Sequence, residues 1–325
     1  MGSIDRRRFC AALGMGATGA WAARDAGAQA LPDQIRVIVP LATGSSLDSR
    51  ARVIAEAISR HLGRRVIVEN RPGAGGTLGA QVVARARPDG ATLLFNNNSQ
   101  FISPHVYPAP GFDPLRDFIP LTQAYESGMV LVGHPAIGAK TLADLIAAAR
   151  AGRVEAYASS GSGGLPHLCM ELLMSVTGMR LTHVPYKGDA PALVDVLAGR
   201  VPVMVSGYPA ALPHVQSGAL HAIAVTSLRR VGMFPDTPTL AEAGYPRATL
   251  DAWGGFHLPA RTPRPLVDAL YREMTAAFKQ PLLEEHYAST GAFAVGSTPA
   301  DFAAFCAREW ERYGKLVRTL ALKPA

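Results

Sequence analysis

Two stretches rich in hydroxyls and glycine carry the residue types that could hold a small anion. The first, Leu41-Ala42-Thr43-Gly44-Ser45-Ser46-Leu47-Asp48, follows the apolar run Ile35-Arg36-Val37-Ile38-Val39-Pro40. It opens a helix whose apolar positions Ala51, Ile54, Ala55 and Ile58 share one face, with Ser45 or Ser46 suited to the N-cap and Asp48 to the first turn. Ala42 to Ser46 carry no bulky side chain, so a ligand could touch backbone N–H groups directly. Unpaired first-turn donors and the helix dipole favour a carboxylate or phosphate there by ~0.3–1 kcal/mol per charge. Asp48 opposes that reading, because its carboxylate repels a second anion unless backbone donors occupy its oxygens. The same residues would also serve an ordinary strand-to-helix turn built for packing alone. The second stretch, Ser159-Ser160-Gly161-Ser162-Gly163-Gly164, lies between a strand and a helix marked by Leu168, Leu172, Leu173 and Val176.

Catalytic arrangements fit these residues poorly. Ser160, Ser162 and His167 suggest a secreted serine hydrolase, which stays open as the alternative function. However, a nucleophile elbow needs glycine two residues before and after the serine, and Ser162 has Ser160 before it while Ser160 has Ala158. His167, on the following helix, is better placed to fix the loop. Lys187 could form a Schiff base if desolvated, but more simply supplies a cation for a ligand or for Asp189. The nine histidines are scattered without metal-ligand spacing, and no metal or cofactor is expected. Gly73-x-Gly75 lacks the third glycine of a dinucleotide fingerprint, since position 78 is Leu78. Small hydroxyl and glycine loops without a catalytic constellation suit binding, so no enzyme activity is expected. A third reading is a cell-envelope interaction protein.

The elements that must position these loops come from a chain of 325 residues, 48% hydrophobic and 18% charged, long enough for two cores. Asp5-Arg6-Arg7-Arg8-Phe9-Cys10, a weakly apolar Gly/Ala segment and Ala28-Gln29-Ala30 read as a twin-arginine export signal, residues 1–30, removed on export. Removal takes four arginines and two aspartates from a formal net charge of +7 and leaves the chain basic. The cations are dispersed and not interleaved with aromatics, so nucleic acid is not an expected partner. A mild positive field helps to attract acidic solutes. Cys169 and Cys306 lie in apolar helical pattern and are expected as buried thiols, with one disulfide as the alternative.

Strand and helix patterns alternate along the chain: strand 65–69 and helix 77–86, strand 92–95, apolar runs within 118–134, helix 141–150, strand 154–158, strand 181–184, helix 191–197, strand 201–205, helix 210–216 and strand 220–226. Thr262-Pro263 and Thr298-Pro299 read as N-cap and N1 pairs of long C-terminal helices. This order predicts mostly parallel sheets flanked by helices, in two lobes: residues 31–130 with 252–325, and residues 131–251. Ligands of such sheets sit outside the carboxyl ends of strands, so the two loops could face each other across a cleft.

Taken together the phrases resemble the substrate-binding proteins of tripartite tricarboxylate transporters, the Bug or TctC type, over essentially the whole chain after residue 30. The resemblance rests on Ile38-Val39-Pro40 with its loop and Asp48, Val68-Glu69-Asn70-Arg71-Pro72-Gly73-Ala74-Gly75-Gly76, Pro88-Asp89-Gly90, Ser159 to Gly163 with His167-Leu168, His183-Val184-Pro185-Tyr186-Lys187-Gly188, Ala224-Val225-Thr226-Ser227 and Pro235-Asp236-Thr237-Pro238-Thr239. It implies a two-lobed, type II-like periplasmic binding protein, monomeric, that closes on a small carboxylate and serves the permease subunits of a tripartite transporter or a sensor. The ligand class is a di- or tricarboxylate, an aromatic acid or an amino acid. Carried over, the ligand-binding residues are Thr43, Gly44, Ser45, Ser46, Asp48, Ser159, Ser160, Gly161, Ser162, Gly163, His167, Tyr186, Lys187 and Ser206, with Asp48 holding its loop or accepting from ligand donors. Two departures from the family stand out. The first loop has Thr43-Gly44-Ser45 where Pro-Gly-Gly is usual, and Ser206-Gly207 stand where an aspartate usually follows the strand.

Overall fold

The computed structural model describes residues 31–107, 109–186 and 188–322; residues 1–30, expected as an export signal, and Lys187 lie outside the described residues. The chain runs β1 (Gln34–Val39), α1 (Ser46–Leu62), β2 (Arg65–Asn70), α2 (Thr77–Ala84), β3 (Thr92–Asn97), α3 (Ser99–Val106) and β4 (Phe118–Ser127). It continues through β5 (Met129–Gly133), α4 (Leu142–Arg150), β6 (Ala156–Ser159), α5 (Leu165–Thr177), β7 (Thr182–Pro185), α6 (Asp189–Leu197), β8 (Val203–Gly207), α7 (Tyr208–Gln216) and β9 (His221–Val225). It closes with β10 (Ala252–Pro259), α8 (Arg264–Ala277), α9 (Pro281–Thr290), β11 (Ala292–Ala294) and α10 (Pro299–Thr319).

Alternating side chains on the strands explain the layers. In β1, Ile35, Val37 and Val39 pack with Ala51, Ile54 and Ile58 of α1 and Leu266, Leu270 and Met274 of α8. Ile38 points to the other face, with Ala80 and Val83 of α2. Each such aliphatic side chain, fully buried, contributes roughly 1.5–3 kcal/mol. The second sheet is covered likewise: Leu131, Val203 and Val205 meet Leu168 and Leu172 of α5. Val130, Val132 and Met204 meet Ala192 and Val196 of α6.

The two sheets have the orders β11-β4-β10-β3-β1-β2 and β7-β6-β8-β5-β9, as expected for a two-lobed α/β protein. They are less parallel than the sequence suggests. Parallel pairs join β1 with β2 and β3, and β6 with β7 and β8, and a lone parallel bridge links Val225 to Thr239. β10 returns from the second lobe and inserts antiparallel between β3 and β4, and β5 inserts antiparallel between β8 and β9.

The chain leaves the first sheet at Ser127 and enters the second at Met129, so Met129 and Val130, expected in the first lobe, pair within the second. The second crossover runs from Val225 to Ala252, and Thr226 ties the two together. Its N–H donates to the Met129 carbonyl at 2.8 Å and its Oγ1 accepts from the Met129 N–H at 2.9 Å. Gly128, between the sheets, has no room for a side chain: a Cβ there would lie 2.2 Å from the Tyr208 Oη. The C-terminal helix α10 also spans the division, its Phe302, Cys306 and Tyr313 lying in one apolar cluster with α3, Trp253 and α5.

Local stops and starts follow the side chains. Ser45 caps α1 by accepting from the Asp48 N–H at 3.2 Å, and Thr141 and Asp144 form a reciprocal capping box on α4. Thr298 caps α10. Thr262 does not cap its helix. Its hydroxyl donates to the Pro259 carbonyl at 2.8 Å, Pro263 is the cap residue, and α8 begins at Arg264. Cys169 and Cys306 are both buried free thiols, and burial raises both pKa values.

Candidate functional site

β1 and β6 each end at the carboxyl edge of a parallel pair, and the two loops expected to bind ligand begin there. In the first loop Asp48 is 2% exposed and fully engaged. Its Oδ2 accepts from the Gly44 N–H at 2.9 Å and from Arg52 Nε at 3.1 Å, while Oδ1 accepts from Asn70 Nδ2 at 2.9 Å and pairs with Arg52 Nη2 at 2.9 Å. Burial pushes the carboxyl pKa up, but these donors outweigh it and hold the value below 3.8. Asn70 also donates to the Leu41 carbonyl at 3.0 Å, so one side chain fastens both ends of the loop.

Gly44 adopts φ +82°, a conformation that lets its N–H turn toward Asp48. The loop exposes Thr43, Gly44 and Ser46 and half-buries Ser45, whose hydroxyl serves the cap. With Asp48 N–H capped, the N–H groups of Ser46 and Leu47 remain the first-turn donors without an intrahelical partner. Asp48, the carboxylate beside them, has its charge engaged by Arg52, Asn70 and the Gly44 N–H.

The second loop is tied into its own lobe. Ser159 is fully buried, and its Oγ lies 2.6 Å from His183 Nε2 while accepting from the Gly161 N–H at 3.2 Å. His167 accepts from the Gly163 N–H through Nδ1 at 3.0 Å, which leaves the proton of the neutral ring on Nε2, 3.8 Å from Glu171 Oε1. Burial and the neighbouring His183 lower the His167 pKa to about 4. The two imidazoles stack at 3.9 Å, Tyr157 stacks on His183 at 5.0 Å, and the Tyr157 hydroxyl donates to Glu171 at 2.6 Å. Among the described residues no hydrogen bond joins His167 to Ser160 or Ser162; the serine that meets an imidazole here is the buried Ser159, against His183. Gly163, at φ +71°, reaches the other lobe: a Cβ there would lie 3.2 Å from Val106 of α3.

Gly161 and Ser162 are half-buried; Ser162, His167, Glu171, His183 and Pro185 line a pocket of about 310 Å³ together with Leu320, Ala321 and Leu322. None of residues 43–48 lines it, so it lies beside the second lobe and is not the space between the two loops. Tyr186 is half-buried and its hydroxyl donates to Asp195 at 2.6 Å, which anchors it to α6; burial and then Asp195 push its pKa up to about 12.

β8 runs to Gly207, two residues farther than expected, so Ser206 is inside the strand opposite Val130 and fully buried, with its hydroxyl 3.4 Å from the Gly207 carbonyl. The group that faces this strand end is Asp189, the first residue of α6. Burial raises its pKa, and the Ser160 side chain and the Gly207 N–H partly offset that. Sequence reasoning missed Asp189 as a site residue, and also His183, Tyr157, Arg52 and Asn70. The signal for Asn70 and His183 lay in the motif phrases themselves; for Arg52 it was the i,i+4 spacing from Asp48.

The family model for the "Tripartite tricarboxylate transporter family receptor" matches residues 50–322. Protein BugT of Bordetella pertussis is 35% identical over 325 residues, spanning 98% of this chain and 99% of BugT. The structure of R. palustris Rpa4515 with adipate superposes with a TM-score of 0.82 at 31% identity, covering 90% of this chain and 98% of that one. MatC (Rpa3494) from Rhodopseudomonas palustris with bound malate superposes with a TM-score of 0.79 at 29% identity, covering 87% of this chain and 98% of that one.

Proposed function

Because the chain belongs to the tripartite tricarboxylate transporter receptor family, and so is a periplasmic solute-binding protein, we propose that it captures a small carboxylate between its two lobes. The observation that carries this reading is the pairing of spent and unspent groups in the first loop. Asp48 has its charge fully engaged, while the Ser46 and Leu47 N–H groups stay available to an anion. Ser160, Gly161 and Ser162, on the loop of the other lobe, supply the second set of contacts. A ligand touching both loops favours the closed arrangement by the difference in its affinity for the two states, with the Thr226–Met129 crossover as hinge.

The acids bound by Rpa4515 and MatC, adipate and malate, support a dicarboxylate as the first class to test. Export through residues 1–30 by the twin-arginine route, a monomeric state, and delivery to a tripartite permease or a sensor belong to the same proposal.

A thermal-shift screen of the purified chain against mono-, di- and tricarboxylates, aromatic acids and amino acids tests it. A ligand at ~100 times its Kd adds roughly 2.7 kcal/mol of stability. We expect one acid to raise the melting temperature and a Ser160→Ala change to reduce the shift. No shift with any acid, in protein freed of co-purified ligand, would overturn the carboxylate reading.

A further inference from the structure

We propose that Asp189 reads the far end of the ligand, and that the site takes an acid carrying an amino or hydroxyl donor in preference to one bearing carboxylates alone. The inference rests on the carboxylate-receptor reading above.

Topology puts Asp189 at the right edge. β6, β7 and β8 share one direction, so their carboxyl ends lie along one side of the second sheet, and Asp189 begins the helix that follows β7. Ser160 lies just past the end of β6 and Gly207 is the last residue of β8; these two present the hydrogen-bonding groups that face the Asp189 carboxylate. Gly207 leaves room beside it. A Cβ at position 207 would find Asp189 Oδ2 at 3.8 Å and nothing else within 4 Å.

The carboxylate itself is incompletely satisfied. Its Oδ1 is closed off from solvent and has no hydrogen-bond partner among the described residues. The other acids near the two loops are occupied: Asp48 by Gly44, Arg52 and Asn70, Asp195 by Tyr186 and Arg200, and Glu171 by Tyr157. An ionised carboxylate can only accept, so the group that completes this one must be a donor, and an ammonium also offsets the buried charge. A second carboxylate in the same place would be repelled. Burial works against the charged form of Asp189, so a donor or ammonium at the free oxygen is what holds the carboxylate ionised there.

Calorimetric titration of the purified chain and its Asp189→Asn and Asp189→Ser variants with matched acids tests this. Succinate, malate and aspartate share a four-carbon frame, and adipate and 2-aminoadipate a six-carbon one. The wild type should bind a donor-bearing acid at least tenfold more tightly than its donor-free match. Asp189→Asn should weaken the donor-bearing acid at least tenfold and strengthen the donor-free one, which reverses the preference. Asp189→Ser should do the same should Asn in that site prevent folding, and a thermal melt identifies which variants are folded. Tighter wild-type binding of the donor-free acid would overturn the proposal. So would an equal change for both members of a pair, as expected if Asp189 only steadies the loop or neutralises Lys187. Failure of every acid to bind the wild type would sink the receptor reading as well, whereas binding without donor preference would remove this inference alone.

Discussion

The Asp48 carboxylate accepts the Gly44 N–H at 2.9 Å and thereby folds the loop after β1 back onto the start of α1. Asp48→Ala would leave Asn70 and the Gly44 N–H without their acceptor in a nearly closed site. We expect a loss of about 1–3 kcal/mol, as for other buried groups left unsatisfied, seen as a lowered urea midpoint at pH 7. Because the folded pKa lies below 3.8, the wild-type contribution is fully present above that value and disappears as pH falls through the folded pKa. The wild-type and Asp48→Ala stabilities should therefore converge only in strong acid.

His167 gives a separate pH dependence of opposite origin. Its folded pKa of about 4 lies below the ordinary 6.5, so the unfolded chain binds the proton more readily between those values. Stability should therefore decline as pH falls from 6.5 toward 4, by roughly 3 kcal/mol at most from this group. Replacing His167 with Gln removes its titration, and a melting series from pH 7 to pH 4.5 should then show a shallower slope than wild type. Equal slopes would mean that His167 is not held neutral.

Gly128→Ala should cost about 1–3 kcal/mol, because the added methyl meets the Tyr208 Oη and the Ser227 Cβ at the crossover. In a Tyr208→Phe background the loss should be smaller, since the nearest atom is gone. A double-mutant cycle read by chemical denaturation measures that coupling.

Changing Arg6, Arg7 and Arg8 together to Lys should abolish appearance of the processed protein outside the cytoplasm while leaving total synthesis intact. Fractionation and immunoblotting would report this, and unchanged export would point to the general secretory route.

Much of the architecture was legible because its causes are local. Ile35, Val37 and Val39 with Ile38 between them mark a strand with two covered faces, and Ser45, Thr141 and Thr298 announce helix starts through their side-chain oxygens. The two candidate loops stood out as small residues between such elements. Errors arose where the deciding partner is distant. Thr262 has cap chemistry, but the Pro259 carbonyl competes for its hydroxyl. Ser206 looked like a loop residue until β5 supplied the neighbour that extends β8 to Gly207. Met129 and Val130 carry apolar side chains that suit either sheet, and only pairing with Ser206 and Gly207 assigns them.

The sequence by itself determined the α/β alternation and the two hydroxyl–glycine loops, because cap, turn and side-chain periodicity act within a few residues; it left Asp48 either holding its loop or accepting from a ligand. Tertiary structure alone decided that β10 returns between β3 and β4, that α10 packs across both lobes, and that His183 meets the buried Ser159. It also decided that Asp189, beside Gly207 and Ser160, has an oxygen without a hydrogen-bond partner among the described residues. These relations join residues tens to hundreds of positions apart, and their energies come from burial and hydrogen bonding that exist only after the sheets have assembled.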